Sequence, residues 1–301
     1  CLGLIIPNKI KKPADFLVIM LFLLTILPTL SLYAMKGEAR VYTYMIVISF
    51  LVIIGMTKIP LIRISRFRGG QTLAVVFSAL LVLIVTISLI KKGGLQYFNL
   101  NLKDVYEFRG IVGSVINEGI YGYINIWVFK VLNPALLVWA LYKKKPLLFL
   151  TSISLQILFF AISSHKAVLF YPFLIILMYL FVEKKRALYY IYIGFLSVII
   201  GTGLLAIYTD LIMPSSLFIR RLLFIPAQLY YAYYDFFTNA GHVYLTTSIF
   251  SLILEYPFPH QPPHMISLYL YGEIKNWANA GFLATSYMHF GFMGMIIYSM
   301  I

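Results

Sequence analysis

Charge is scarce in this sequence: 11% of the 301 residues are Asp, Glu, Lys or Arg, against 61% hydrophobic, and the mean hydropathy is +0.90. A soluble chain this apolar has too little polar surface to cover itself, which excludes an ordinary soluble domain. Cysteine is limited to Cys1, so neither an internal disulfide nor a thiolate metal cage can form within the chain. Short alternating strands are lacking too, which excludes a transmembrane barrel. There is no phosphate-cradling glycine loop, no Ser-His-Asp signature and no dinucleotide fingerprint. Internal repeats, heptads and low-complexity linkers are likewise absent, and no inverted repeat of the transporter kind is visible, which argues against that class.

What is present is long apolar runs. A spanning helix needs about 20 mostly apolar residues, because in lipid every backbone polar group must bond within its own segment. Runs of that kind cover 14–34, 41–60, 71–90, 121–142, 146–163, 167–182, 187–208 and 281–301, the last interrupted near its end. They predict an all-α, polytopic integral membrane bundle of about eight or more transmembrane helices. Residues 1–301 read as one transmembrane domain. The chain starts without Met in the apolar stub 1–6 and ends inside an apolar run at Ile301, as expected of a fragment cut at both ends.

The net charge of +14 is arranged topologically. Lys9, Lys11 and Lys12 precede the first full span; Arg63, Arg66 and Arg68 follow the second; Lys143, Lys144 and Lys145 follow the fourth; Lys184, Lys185 and Arg186 follow the sixth. Every second loop is thus cationic with almost no acid nearby, which marks those loops as cytoplasmic. Cations held in short clusters between spans also argue against nucleic acid, and leave membrane lipids or an anionic lipid-linked substrate as partners. The remaining loops are external, and two are long, about 91–120 and 209–280. The stretch LFIPAQLYYAYYDFF at 223–237 is too aromatic for a solvated tail and predicts a re-entrant or interfacial segment packed on the bundle.

Several residues in these loops can carry chemistry. Arg220 and Arg221 interrupt an apolar external segment that opens near Pro214 and is expected to bend at Pro226, where one backbone hydrogen bond is lost. Arginine's planar fork suits phosphate oxygens; the competing reading is a pair of interfacial anchors. Asp104, Glu107, Arg109 and Glu118 share the first long loop, either as a solvated Arg–Glu cluster or with Arg109 binding a diphosphate or sugar. His165 and Lys166 lie in a short SSHK turn, as ligand contacts or as a helix cap with a snorkelling lysine. Lys130 falls mid-span beside Asn133–Pro134, where it is either functional or bonded to backbone freed by a kink. Tyr230, Tyr231, Tyr233 and Tyr234 either stack on sugar faces or form an aromatic belt. His289 reads as a general base or as a core histidine. In HQPPH, the prolines between His260 and His264 deny the regular helix that paired histidine ligation uses, so no metal is expected.

Three stretches resemble the O-antigen and capsule oligosaccharide repeat-unit polymerases (Wzy type): ISSHKAVLFYPFLIILMYLF at 162–181, RRLLFIPAQLYYAYYDFF at 220–237 and NAGFLATSYMHFGFMGMIIYS at 279–299. The resemblance runs from about residue 91 onward. It implies an enzyme at the periplasmic face of the bacterial inner membrane. Such an enzyme transfers a growing glycan from undecaprenyl diphosphate to a sugar hydroxyl on the next lipid-linked unit. It further implies no cofactor or metal, a chain-length regulator protein as partner, and external arginines as the essential residues. By position Arg109, Arg220 and Arg221 match that role, with His289 beside them as a catalytic candidate. His165, Lys166, Tyr230, Tyr234, Asp235 and Asn279 are then the expected substrate-binding residues. Some members pair an Arg with a Gly about ten residues later in both long loops; Arg109 with Gly119 fits, whereas Arg221 has no such glycine.

The rival readings are an O-antigen ligase, which attacks the same diphosphate with a different acceptor, and a flippase or exporter of the same lipid. An exporter would line a central path with cations across several spans, and here Lys130 alone is mid-membrane.

Overall fold

The computed structural model of the chain describes residues 2–59, 67–101, 120–181, 187–248, 250 and 253–301. All regular structure among them is helical. Ten principal helices are used below: α1 (Pro13–Lys36), α2 (Arg40–Met56), α3 (Gly70–Lys91), α4 (Tyr121–Tyr142), α5 (Pro146–Ser163), α6 (Lys166–Phe181), α7 (Ala187–Tyr208), α8 (212–240), α9 (Pro262–Tyr271) and α10 (Phe282–Met300). Five of these, α1, α3, α4, α5 and α7, are long and apolar enough to cross a membrane; α2 and α6 are shorter apolar helices. The most apolar window of α7 has none of its residues buried by the chain itself, so its surface calls for an apolar surrounding.

The contacts divide the chain into two compact units. A split unit joins the residues up to 62 with those from 188 onward, and so holds α1, α2 and α7–α10. An inserted unit, residues 63–187, holds α3–α6.

Local chemistry fixes the helix ends. Asp15 in the first turn of α1 accepts the backbone N–H groups of Lys11 (2.8 Å) and Lys12 (3.0 Å), satisfying donors that a helix start leaves open. The Lys12 ammonium donates to the Thr57 carbonyl just past α2, where a helix end offers unpaired oxygens. With Thr57 as its cap, α2 ends at Met56, short of the run expected to 60.

Proline shapes the helix interiors. The residue before each of Pro28, Pro134 and Pro226 donates its N–H five residues back: Leu27 to Phe22, Asn133 to Val128 and Ile225 to Arg220. These are π turns, at Phe22–Ile26, Val128–Leu132 and Ser216–Phe224. A proline ring crowds the carbonyl four residues before it, and a wider turn makes room. The bends expected at Pro134 and Pro226 therefore take the form of a local rewinding.

In the inserted unit, π winding leaves the Phe129 carbonyl without its usual partner, and Pro172 inside α6 cannot serve the Val168 carbonyl. Gln156 answers both, its Nε2 donating to Phe129 (2.8 Å) and to Val168 (3.0 Å). Its Oε1 accepts from Asn133 Nδ2, which also donates to the Ser152 carbonyl at 2.9 Å. Gln156 and Asn133 are each 1% exposed, so every bond of this network is dry. Lys130 is half-buried and has no part in it.

The split unit packs around an aromatic cluster. Tyr42 stacks on Tyr234 at 4.7 Å and meets Tyr287 edge-on at 5.3 Å, joining α2, α8 and α10. Thr43 and Tyr231 share a hydroxyl hydrogen bond of 2.8 Å, and Thr238 and Tyr287 one of 2.7 Å. Residues 209–280, read from sequence as a long loop with packed segments, contain α8 and α9, and α8 buries its aromatic face against this core.

Candidate functional site

The last helix is broken. Phe290 (φ −137°) and Gly291 (φ +60°, ψ −147°) leave the helical region, and Gly291 adopts a conformation that side chains oppose. The turn 241–248 docks into the gap: the Val243 N–H donates to the Met288 carbonyl and the Leu245 N–H to His289 Nδ1, both at 3.0 Å. Gly294 keeps the break compact, since a methyl group there would run into the Ser286 carbonyl.

Beside this docked turn lies a cavity of about 460 Å³. One wall comes from α10, through Thr285 and Met288, and one from the turn, through Thr246 and Thr247. Tyr233 of α8 and Tyr256 add aromatic surface; Gln261, the first two residues of α9 and Asn279 complete the lining. The Tyr233 hydroxyl donates to the Ala278 carbonyl (3.1 Å), and Ala278 is tied back to Pro263 (3.3 Å), which holds the 272–281 segment against α9. None of the described residues of the lining carries a charge. Tyr256 brings its ring; its hydroxyl is shielded from solvent and has no hydrogen-bond partner among the described residues, and burial pushes its pKa up to about 12.

The sequence-derived candidates fall in different places. Asn279 is exposed at the cavity. Tyr230 is buried and pressed so closely on Gly281 that a methyl group there would strike its hydroxyl. Tyr234 belongs to the Tyr42–Tyr287 cluster and is half-buried. Asp235 is half-buried, and burial raises its carboxyl above the usual range. Glu38, in the turn between α1 and α2, is raised first by burial and next by the Asp235 charge, with Lys36 opposing. His289 is 4% exposed and its Nδ1 accepts a backbone N–H, which leaves the other nitrogen as the protonated one.

Arg220 and Arg221 are exposed on the π-wound part of α8, and neither hydrogen-bonds or pairs with an acid among the described residues. From Arg221 to Tyr233 is twelve residues along one helix, about 15–18 Å at an α-helical rise. The arginines and the cavity are therefore two stations on α8. His165 and Lys166 belong to the inserted unit, where the Val168 N–H bonds to the His165 carbonyl at 2.9 Å. Arg109, with Asp104, Glu107 and Glu118, lies outside the described residues.

Sequence reasoning did not single out Thr246, Thr247, Tyr256, Gln261 or Thr285. The available signal was HQPPH, weighed there for metal. His264 instead hydrogen-bonds the Ile274 carbonyl (2.7 Å) and packs on Trp277 at 4.4 Å, and no cluster of metal-ligating side chains occurs among the described residues. Compared with known proteins, the chain matches no family model, no curated sequence and no solved structure.

Proposed function

We propose that this protein is a membrane glycosyltransferase that polymerises oligosaccharide repeat units carried on undecaprenyl diphosphate, at the periplasmic face of the bacterial inner membrane. In this reading α2, α6 and α10 join the five longer helices as spans, and 91–120 and 209–280 are the two external segments. The observation that carries it is the arginine pair: two exposed cations in an apolar stretch of α8, SLFIRRLLFIP at 216–226, with no acid or hydrogen-bond partner among the described residues. A cation kept among apolar side chains is costly unless something anionic meets it, and a lipid diphosphate arrives at that level from the bilayer.

Chemically, the sugar–phosphate bond of the donor breaks as an acceptor hydroxyl attacks the anomeric carbon; the diphosphate leaves with the electron pair, and the hydroxyl's proton is released to solvent or to that diphosphate. The guanidinium groups stabilise that developing charge in a site of low dielectric. The bond broken supplies the energy, so no nucleotide is required.

The test is substitution of Arg220 and Arg221 singly by Lys and by Ala, reading glycan chain length on a gel and protein level by immunoblot. A residue that forks onto phosphate loses polymer with both changes, because an ammonium cannot make two parallel bonds. The expected loss is on the order of a hundredfold, about 3 kcal/mol. Full-length polymer from both lysine variants would reduce the pair to membrane anchors.

A further inference from the structure

We infer that the cavity between α8, α9 and α10 is a binding subsite for an uncharged sugar residue, separate from the arginine station. That the sugar belongs to the repeat unit rests on the glycosyltransferase reading above; the selection of a neutral, hydroxyl-rich ligand rests on the cavity alone.

Size is the first argument. About 460 Å³ lies within the usual range for small-molecule sites, and the cavity opens to the outside, so a ligand can enter.

Chemistry is the second. A sugar ring presents hydroxyl groups that each donate and accept, around faces of C–H. The lining offers the same two kinds of surface. Gln261 and Asn279 each bring an amide that donates and accepts, and Thr247 brings a hydroxyl. Thr285 is held only by a long bond of 3.3 Å to the Gly281 carbonyl. Against these stand apolar faces: the rings of Tyr233 and Tyr256, two prolines and Met288.

Charge is the third. The neighbouring ionisable residues Glu255 and His260 are exposed and do not line the cavity. An acidic sugar would bring a carboxylate into a space with no cation among its described lining residues, at a desolvation cost that a neutral sugar avoids. The same absence makes the cavity unsuited to the diphosphate itself, which the α8 arginines fit.

Rigidity is the fourth. Tyr233 is fixed by Ala278, and the Thr246 hydroxyl by the Val243 carbonyl at 2.7 Å. The turn carrying Thr246 and Thr247 is anchored on the break in α10. The walls are thus set before any ligand arrives, which lowers the ordering cost of binding.

The experiment is saturation-transfer NMR on the full chain in nanodiscs, with galactose, glucose, rhamnose, N-acetylglucosamine and glucuronate as probes. At least one neutral sugar should receive saturation, and glucuronate should bind at least about tenfold more weakly than that sugar. Gln261→Ala and Asn279→Ala should each cut the neutral signal about fivefold or more, with an unchanged unfolding temperature. Asn276→Ala, at an exposed residue outside the lining, should leave the signal intact. Silence from every neutral sugar, equal binding of glucuronate, or full signal in the Gln261→Ala, Asn279→Ala double variant would each overturn the subsite. Any of those results leaves the arginine reading standing. Conversely, sugar binding together with full polymer from both lysine variants at the arginines would keep the subsite and remove the diphosphate clamp.

Discussion

In the inserted unit, two carbonyls released near Pro134 and by Pro172 are answered by one side chain, Gln156. In the split unit, the break at Phe290–Gly291 is answered by backbone, through Val243 and Leu245. Both units thus contain a helix that fails to satisfy itself, and both repair it with groups of the protein. The repairs have different consequences. A carboxamide reaching from α5 closes the gap and packs three polar partners into a dry core. A docked turn fills its gap but brings flanking residues with it, and Thr246 and Thr247 become a wall of a cavity. A helix defect sealed by a side chain serves stability, whereas one sealed by a loop also builds a site.

The strongest way to break this contrast is Gln156→Leu. The change keeps the bulk but strands two buried carbonyls and one amide donor, at about 1–3 kcal/mol each, so a total loss on the order of 3–5 kcal/mol is expected. Thermal unfolding in detergent and the yield of folded protein measure it. Adding Pro172→Ala supplies an N–H for the Val168 carbonyl and should restore part of the loss; strict additivity of the two changes would show that Gln156 does not act through that oxygen.

The split unit's break is probed by Gly291→Ala. At φ +60° and ψ −147° a methyl group is strained, and it would also sit 3.0 Å from the His242 ring. A loss of about 1–3 kcal/mol is expected, with weaker sugar binding because the docked turn shifts. Unchanged stability would mean the break relaxes freely and does not hold the turn.

A smaller effect tests the electrostatics of the split unit. The Asp235 and Glu38 carboxyls are raised above their ordinary values in the folded chain, chiefly by burial. Their protonated forms favour the folded state, so their contribution is complete below about pH 4 and is lost as pH rises through the raised values. Asp235→Asn should therefore stabilise the chain at pH 7, with the difference from the parent shrinking toward pH 4. A variant less stable than the parent at pH 7 would show that the charged carboxylate has a stabilising partner.

Much of the helical layout was legible because long apolar runs leave the backbone few alternatives. The runs at 14–34, 71–90 and 187–208 correspond to Pro13–Lys36, Gly70–Lys91 and Ala187–Tyr208. Prolines 134 and 226 marked real irregularities, but π winding depends on room among neighbouring helices, which no single segment encodes. Gln156 escaped notice because one amide in an apolar run has no meaning until the freed carbonyls stand next to it. The cavity was less legible still. Its lining comes from α8, the docked turn, the segment before α9 and the start of α10, and its side chains are neutral, so no spacing or charge pattern announces it. The arginines stood out for the opposite reason, as charges in an apolar stretch.

The most direct measurement of the central proposal is chain growth by the purified full chain. The protein, reconstituted in nanodiscs, is given undecaprenyl-diphosphate-linked oligosaccharide alone, in EDTA, and the products are resolved by size. The account predicts a ladder of multimers still attached to lipid diphosphate, formed without nucleotide or added metal and lost with the alanine variant of the clamping arginine. Repeat units that remain monomeric, or a ladder that needs Mg²⁺ to form, would contradict it.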